Sequence, residues 1–380
     1  MIRVVADDKI PFLKGALDKV AEISYLPGGS IAASDLDGTD ALLIRTRTRC
    51  DKKLLDGSGV SFIASATIGH DHIDAEYCRK KGITWTNAPG CNSASVQQYM
   101  VSTLLWLAVN RGLDLHGSTL GVVGAGNVGS KVAAAAGALG MRVLINDPPR
   151  ERAEGPEGFV SLGTILEESD VISLHVPLNA EGPDKTFHLV DRDFIGRAKK
   201  GFVLINTSRG PVVESQALLE ALHKGRAGLA VLDVFEGEPD LDPGLHAALT
   251  LATPHIAGYS LDGKAMGTAM SVQSLSRHFS LGLDDWIPGG IPEPDQPVIF
   301  GDAGSVGWVE LLWEIYRQTY DVSLDDNRLR EQPELFETLR GDYPFRREPG
   351  AYRVKLFQPY EELNTILQKL GFELLSDYCM

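Results

Sequence analysis

Residues 119–133 read TLGVVGAGNVGSKVA: an apolar run of strand character leads straight into Gly124-x-Gly126-x-x-Gly129, and an Ala-rich helix opens on the last glycine. In that setting each glycine has its own task. The first permits a tight turn, the second lets the backbone approach a pyrophosphate, and the third lets helix and strand pack closely. The helix start adds free amides and the positive end of its dipole. Gly124, Gly126, Asn127, Val128 and Gly129 are therefore expected to line a bound dinucleotide. Asp147 closes the next strand, MRVLIND, eighteen residues beyond Gly129, where a carboxylate accepts hydrogen bonds from an adenosine ribose. A 2′-phosphate about 4 Å from that carboxylate would cost roughly 4 kcal/mol at an effective dielectric of 20, which favours NAD over NADP. Arg150, three residues on, softens that preference.

Beyond MRVLIND the alternation of strand and helix continues through DVISLHV, GFVLINT, AGLAVLD and LTLATPH, giving six strands in all. That is a complete doubly wound domain. On the N-terminal side IRVVA, ALLIR, VSFIA and ITWTN alternate with helix-length segments, the pattern of a second, flavodoxin-like parallel sheet. The turn cluster NAPGCNS at 87–93, followed by an apolar helix from Ala94 to Val109, marks a boundary. LDGKAMGTAMSVQSLSRHFSLG at 261–282 has helical length and crosses back to the first domain, and WIPGGIPEPDQP at 286–297, with four prolines, reads as a linker. The expected division is a substrate (lid) domain of residues 1–93 with 259–285, a dinucleotide domain of 94–258, and a small α+β unit of 286–380 with helices near 305–320 and 360–370. The crossings near 88–94 and 258–285 are the expected hinges.

A length of 380 residues suits two or three domains, and 43% hydrophobic with 23% charged residues is ordinary for a soluble globular protein. The formal net charge of −15 argues against nucleic acid and against an anionic membrane as partners. No apolar run approaches the roughly 20 residues that span a bilayer, and Asp7 and Asp8 stand where a signal peptide needs apolar residues, so a cytoplasmic location is expected. Cys50, Cys78, Cys91 and Cys379 lack metal or disulfide spacing and are expected to be reduced thiols. His70 and His72, two apart in GHDHID, point to different faces if helical, so no metal is expected.

Three later segments each place one ionisable residue just after a strand: INTSRGPVV gives Arg209, LDVFEGEP gives Glu238 and LATPHIAG gives His255. Strand carboxyl ends are where an open α/β sheet builds its site. Hydride transfer at a 2-hydroxy acid needs a cation for the carboxylate and a proton carrier near neutral pH. Arginine pairs bidentately with carboxylates, and histidine takes and returns the hydroxyl proton. A nearby glutamate orients the imidazole and favours its protonated form. His175, after a buried strand, is open to two readings: near the cofactor, or a satisfied core histidine.

The motifs NTSRGPVV, DVFEGEP and TPHIAG, in that order after the glycine-rich loop, resemble the D-isomer-specific 2-hydroxy acid dehydrogenase family over residues 1 to about 285. RTRT at 45–48, ASATIGHDHID at 64–74, SASVQQYM at 93–100, HIAGYSLDGKA at 255–265 and the long C-terminal extension resemble the branch acting on a small phosphorylated 2-hydroxy acid, 4-phospho-D-erythronate, on the way to pyridoxal 5′-phosphate. The resemblance implies NAD as cofactor and a homodimer joined through the C-terminal domain. It also implies that Thr46, Thr67 and Tyr259 contact substrate and that Asp147, Asp233 and Gly258 contact NAD. Val176 stands where relatives often carry Thr, which leaves no side-chain hydrogen bond to cofactor at that place. A substrate with a carboxylate and a phosphate needs more than one cation. Arg45, in the run RTRTR at 45–49, is either a phosphate ligand or part of a solvated basic loop; Lys264, Arg346 and Arg347 are further candidates. Competing readings are a glycerate- or lactate-type dehydrogenase and an NAD-sensing corepressor-like scaffold.

Overall fold

A computed structural model describes residues 1–302, 307–358 and 360–375. These form two compact units, Met1–Asn92 with Ser260–Pro292, and Ser93–Tyr259 with Glu293–Met380. Cys379 lies outside the described residues; Cys50, Cys78 and Cys91 are thiols, and burial pushes Cys50 up to about 12.

The first unit holds five parallel strands: β1 (Ile2–Asp7), β2 (Ala21–Leu26), β3 (Ala41–Ile44), β4 (Phe62–Ser65) and β5 (Thr84–Thr86), in the order β2-β1-β3-β4-β5. This is the flavodoxin-like order. β3 and β4 are buried along their whole length, which is why ALLI and FIAS read as continuous apolar runs. β2, AEISYL, lies at the sheet edge and buries only part of itself, so its sequence carries no such run. The helix Leu261–Phe279 starts at Ser260, whose Oγ accepts from the Gly263 amide at 2.8 Å. It buries Val272 and Leu275 against Val4, Leu43 and Phe62. Gly267 permits the close approach, since a Cβ there would stand 2.6 Å from the Ala66 carbonyl oxygen.

The second unit contains β6 (Thr119–Val123), β7 (Arg142–Asn146), β8 (Val171–Leu174), β9 (Phe202–Asn206), β10 (Ala227–Leu232) and β11 (Leu251–Ala252), all parallel, in the order β11-β10-β9-β8-β6-β7. The order reverses between β6 and β8, and the carboxyl ends at such a switch point form a binding crevice. Its C-terminal segment adds a small parallel sheet of β12 (Val298–Gly301), β13 (Arg353–Leu356) and β14 (Glu373–Leu374). Helices Trp308–Tyr316 and Glu361–Lys369 fall where the sequence places them; Val322–Glu331, crowded with Asp and Arg, is not marked by it.

The C-terminal segment groups with Ser93–Tyr259 in one compact unit. Helix Ser93–Arg111 is buried on nearly every face, and Val96, Tyr99 and Leu104 share one core with Leu312, Ile315 and Tyr316. Two of its buried polar side chains, Ser102 and Gln98, bond to that segment. Ser102 Oγ donates to the Tyr320 carbonyl at 3.0 Å and accepts from the Val322 amide at 3.1 Å. Gln98 Nε2 donates to the Arg347 carbonyl at 2.9 Å.

A shared core predicts shared stability. Leu312→Ala, at a fully buried position, should cost about 2–5 kcal/mol. Hydrogen exchange should then speed up at amides of helix Ser93–Arg111 as well as within the C-terminal segment. Unchanged protection in Ser93–Arg111 would show that the two fold independently.

Candidate active site

The loop after β6 is shaped by steric constraint. Gly124 has φ +87°, and a Cβ there would lie 2.6 Å from the His175 carbonyl oxygen and 2.9 Å from Val176 Cγ1. A Cβ on Gly129 would lie 1.9 Å from the Gly124 carbonyl oxygen, so helix and strand pack this closely only with glycine. Gly126 differs: a Cβ there would meet nothing within 4 Å. It caps helix Asn127–Ala138 without a side-chain hydrogen bond, so open space faces uncapped amides, including those of Asn127 and Val128. That cradle fits a pyrophosphate.

Asp147, at the end of β7, is nearly buried and tied to the loop. Its Oδ2 accepts from the Ala125 amide at 2.7 Å and its Oδ1 from the Arg150 amide at 3.0 Å. Arg150, which the sequence leaves able to soften a preference for NAD, is fully paired through Nε and Nη2 with Glu154 at 2.7 Å each, and its Nη1 donates to the Ala125 carbonyl. His175 settles as a satisfied histidine, its Nε2 on Ser173 Oγ at 2.8 Å. Burial lowers it to about 3, so it is uncharged at neutral pH.

The three ionisable residues come from neighbouring loops of one sheet. Arg209 follows β9, where the buried Asn206 accepts from Ser208 and donates to the Arg209 carbonyl at 3.0 Å. Gly210 then presses against the next loop, since a Cβ on it would lie 1.9 Å from the Phe235 carbonyl oxygen. Glu238 Oε1 meets His255 Nδ1 at 2.6 Å, and Glu238 Oε2 accepts from the Phe235 amide at 3.3 Å. Burial resists ionisation of Glu238, but the His255 hydrogen bond and charge, the Phe235 amide and Arg340 outweigh it and hold the carboxyl below its usual range. His255 is about one-quarter exposed, and its Nε2 has no hydrogen-bond partner among the described residues. Its backbone stands at φ +56°, an unusual conformation for a non-glycine residue.

That backbone is held from behind. Asp233, 1% exposed at the end of β10, accepts from Thr253 Oγ1 at 2.7 Å, from the Ile256 amide at 2.8 Å and from the Ala257 amide at 2.9 Å. Burial raises it to about 6 against the pull of the His255 charge and those donors. Both oxygens of Asp233 thus serve the His255 loop, a role the sequence does not reveal. Two further residues missed by the sequence, or assigned otherwise, come from the C-terminal segment. Arg346, buried rather than poised for a phosphate, donates to the Ala257 carbonyl at 2.6 Å, and Arg340 Nε donates to the Tyr259 hydroxyl at 3.1 Å. Gly258 lies between these two contacts.

The remaining candidates belong to the first unit. Thr46 is exposed in the turn after β3, and Thr67 Oγ1 pairs with Ser65 Oγ at 2.8 Å after β4. Arg45 forms a two-point contact with the fully buried Asp7, at 3.0 and 3.1 Å, so much of its charge is already matched. Lys264 lies on helix Leu261–Phe279. His70 stacks on Trp85, and His72 Nε2 meets Ser65 Oγ at 3.2 Å.

Residues 94–257 match the family described as D-isomer specific 2-hydroxyacid dehydrogenase, NAD binding domain, and residues 303–371 match a domain of unknown function. An erythronate-4-phosphate dehydrogenase from Bacteroides fragilis strain YCH46 is 51% identical, over 93% of this chain and 99% of that protein. One from Azotobacter vinelandii is 42% identical, over 98% of this chain and all of the relative. Among solved structures, D-lactate dehydrogenase from Aquifex aeolicus, complexed with NAD and lactic acid, superposes with a TM-score of 0.61 at 28% identity, over 75% of this chain and 97% of that one. The chain belongs to the D-isomer-specific 2-hydroxyacid dehydrogenases, within the erythronate-4-phosphate dehydrogenase family.

Proposed function

We propose that this enzyme oxidises the 2-hydroxyl of 4-phospho-D-erythronate to 3-hydroxy-2-oxo-4-phosphooxybutanoate with NAD, in pyridoxal 5′-phosphate biosynthesis. The observation that carries the reading is the 2.6 Å pair of Glu238 and His255, with Arg209 on the loop after the adjoining strand β9, in a chain that matches erythronate-4-phosphate dehydrogenases almost end to end. A lactate-type enzyme accounts for less: the D-lactate dehydrogenase structure spans 75% of the chain.

Arg209 holds the substrate carboxylate through a charged, two-point contact. His255 Nε2 removes the C2 hydroxyl proton, while Glu238, ionised and bonded to Nδ1, orients the ring and offsets the imidazolium charge. NAD, when bound, accepts the hydride from C2. Gly124, Gly126, Asn127, Val128 and Gly129 would hold its pyrophosphate and Asp147 its ribose, with Val176, Asp233 and Gly258 as further residues that would contact it. Thr46, Thr67 and Tyr259 contact substrate, with Arg45 as a further contact. In the reverse direction the protonated His255 returns its proton to the carbonyl oxygen. We further propose a cytoplasmic homodimer joined through the C-terminal segment. Among the described residues no helix is long and apolar enough to cross a membrane.

His255→Ala should lower kcat for 4-phosphoerythronate oxidation by about 10²- to 10⁴-fold while NADH binding, read by fluorescence, persists. NAD binding with no turnover of any 2-hydroxy acid by the unaltered protein would favour a scaffold instead. Asp147→Ala should raise KM for NAD and narrow the NAD-over-NADP ratio in kcat/KM by at least tenfold, because the carboxylate that repels a 2′-phosphate is gone. An unchanged ratio would locate cofactor selection elsewhere.

A further inference from the structure

We propose that Arg340, from the C-terminal segment, binds the phosphate end of the substrate together with the hydroxyl of Tyr259. The inference rests on the reading above, which requires a second anion site besides Arg209. Arg340 lies in the short helix Phe336–Gly341 and reaches Tyr259, 81 residues earlier in the chain. Nε donates to the Tyr259 hydroxyl at 3.1 Å. The two terminal nitrogens carry no hydrogen bond among the described residues; Nη1 has an ion pair to Glu337 at 3.7 Å, a distance beyond hydrogen bonding. The side chain is one-quarter exposed, so its planar fork is both held and reachable. An arginine anchored at Nε with both Nη groups unbonded is suited to donate to two phosphate oxygens at once.

The surroundings support the assignment. Arg340 lies within electrostatic reach of Glu238, where its charge helps to hold that carboxyl ionised. Of the other cations considered for the phosphate, Arg45 pairs with Asp7 at two points, and Arg346 is buried with Nη2 on the Ala257 carbonyl. In a chain of formal charge −15, with Glu238 and Glu337 near this guanidinium, a phosphate needs a local cation to overcome the surrounding field. Tyr259 immediately follows Gly258 on the loop that carries His255, so a phosphate held there stays in register with the proton-accepting nitrogen.

The test compares kcat/KM for 4-phospho-D-erythronate with that for unphosphorylated D-erythronate, in the full-length protein with NAD. NADH fluorescence titration serves as a control for the fold of the unit that contains Arg340. Arg340→Gln should lower the phosphorylated-to-unphosphorylated ratio by about 10- to 100-fold, mainly through KM for the phosphorylated substrate, and Arg340→Lys should restore part of it. Equal losses on both substrates would overturn the assignment and make Arg340 a positioning residue for Tyr259 and Glu238. A large ratio in the unaltered enzyme that Arg340→Gln leaves intact would overturn it while sparing the proposed reaction. A ratio near one in the unaltered enzyme would overturn both.

Discussion

The buried carboxylate of Asp233 is the constraint on which the catalytic end of the sheet depends. It closes β10 and receives one hydroxyl and two backbone amides from Thr253–Ala257, the segment that holds His255 at φ +56°. A left-handed conformation costs about 1–3 kcal/mol at a non-glycine residue and persists only where the surroundings impose it. Asp233 imposes it with charge-assisted hydrogen bonds inside the protein, where each is stronger than in water. Tyr99 extends the network, its hydroxyl 2.9 Å from Thr253 Oγ1, so the buried helix Ser93–Arg111 reaches the same loop.

The C-terminal segment supports that loop on another side. Arg346 lies with its guanidinium 4.4 Å from the Tyr320 ring centroid and 5.9 Å from that of Tyr343, and donates to the Ala257 carbonyl. Both tyrosine hydroxyls donate to the buried Asp325, at 3.1 and 2.7 Å. Cation, rings and carboxylate thus form one buried unit whose outward contact is the backbone between His255 and Tyr259. A segment that adds no strand to the dinucleotide sheet is therefore part of what sets the catalytic geometry, and loss of its packing should reach the chemistry through backbone position.

The net charge gains meaning beside these contacts. Much of the positive charge is locally neutralised, as Arg150 with Glu154, Arg330 with Asp326 and Arg45 with Asp7 show. At a partly buried group a given charge acts more strongly on an anionic substrate than it does on the surface.

Much of the architecture is legible in the sequence because burial on both faces makes a parallel strand an unbroken apolar run, as in GFVLINT and AGLAVLD, and because glycine is the residue a tight strand-to-helix turn tolerates at 124 and 129. The edge strand β2 and the polar helix Val322–Glu331 carry no such mark, since each buries only part of itself. Arg209, Glu238 and His255 are legible for a related reason: each lies in the loop that leaves the carboxyl end of a strand, and strand ends are where such a sheet exposes its chemistry. The sequence by itself therefore determined the two parallel sheets, the glycine-rich loop and the ionisable residues that follow the strands. Only the tertiary structure decided that Asp233 serves the His255 loop, that the C-terminal segment shares a core with Ser93–Arg111, and that Arg340 meets Tyr259. Those are contacts between residues up to hundreds of positions apart, and no local periodicity or spacing encodes which distant partner a buried charge will find.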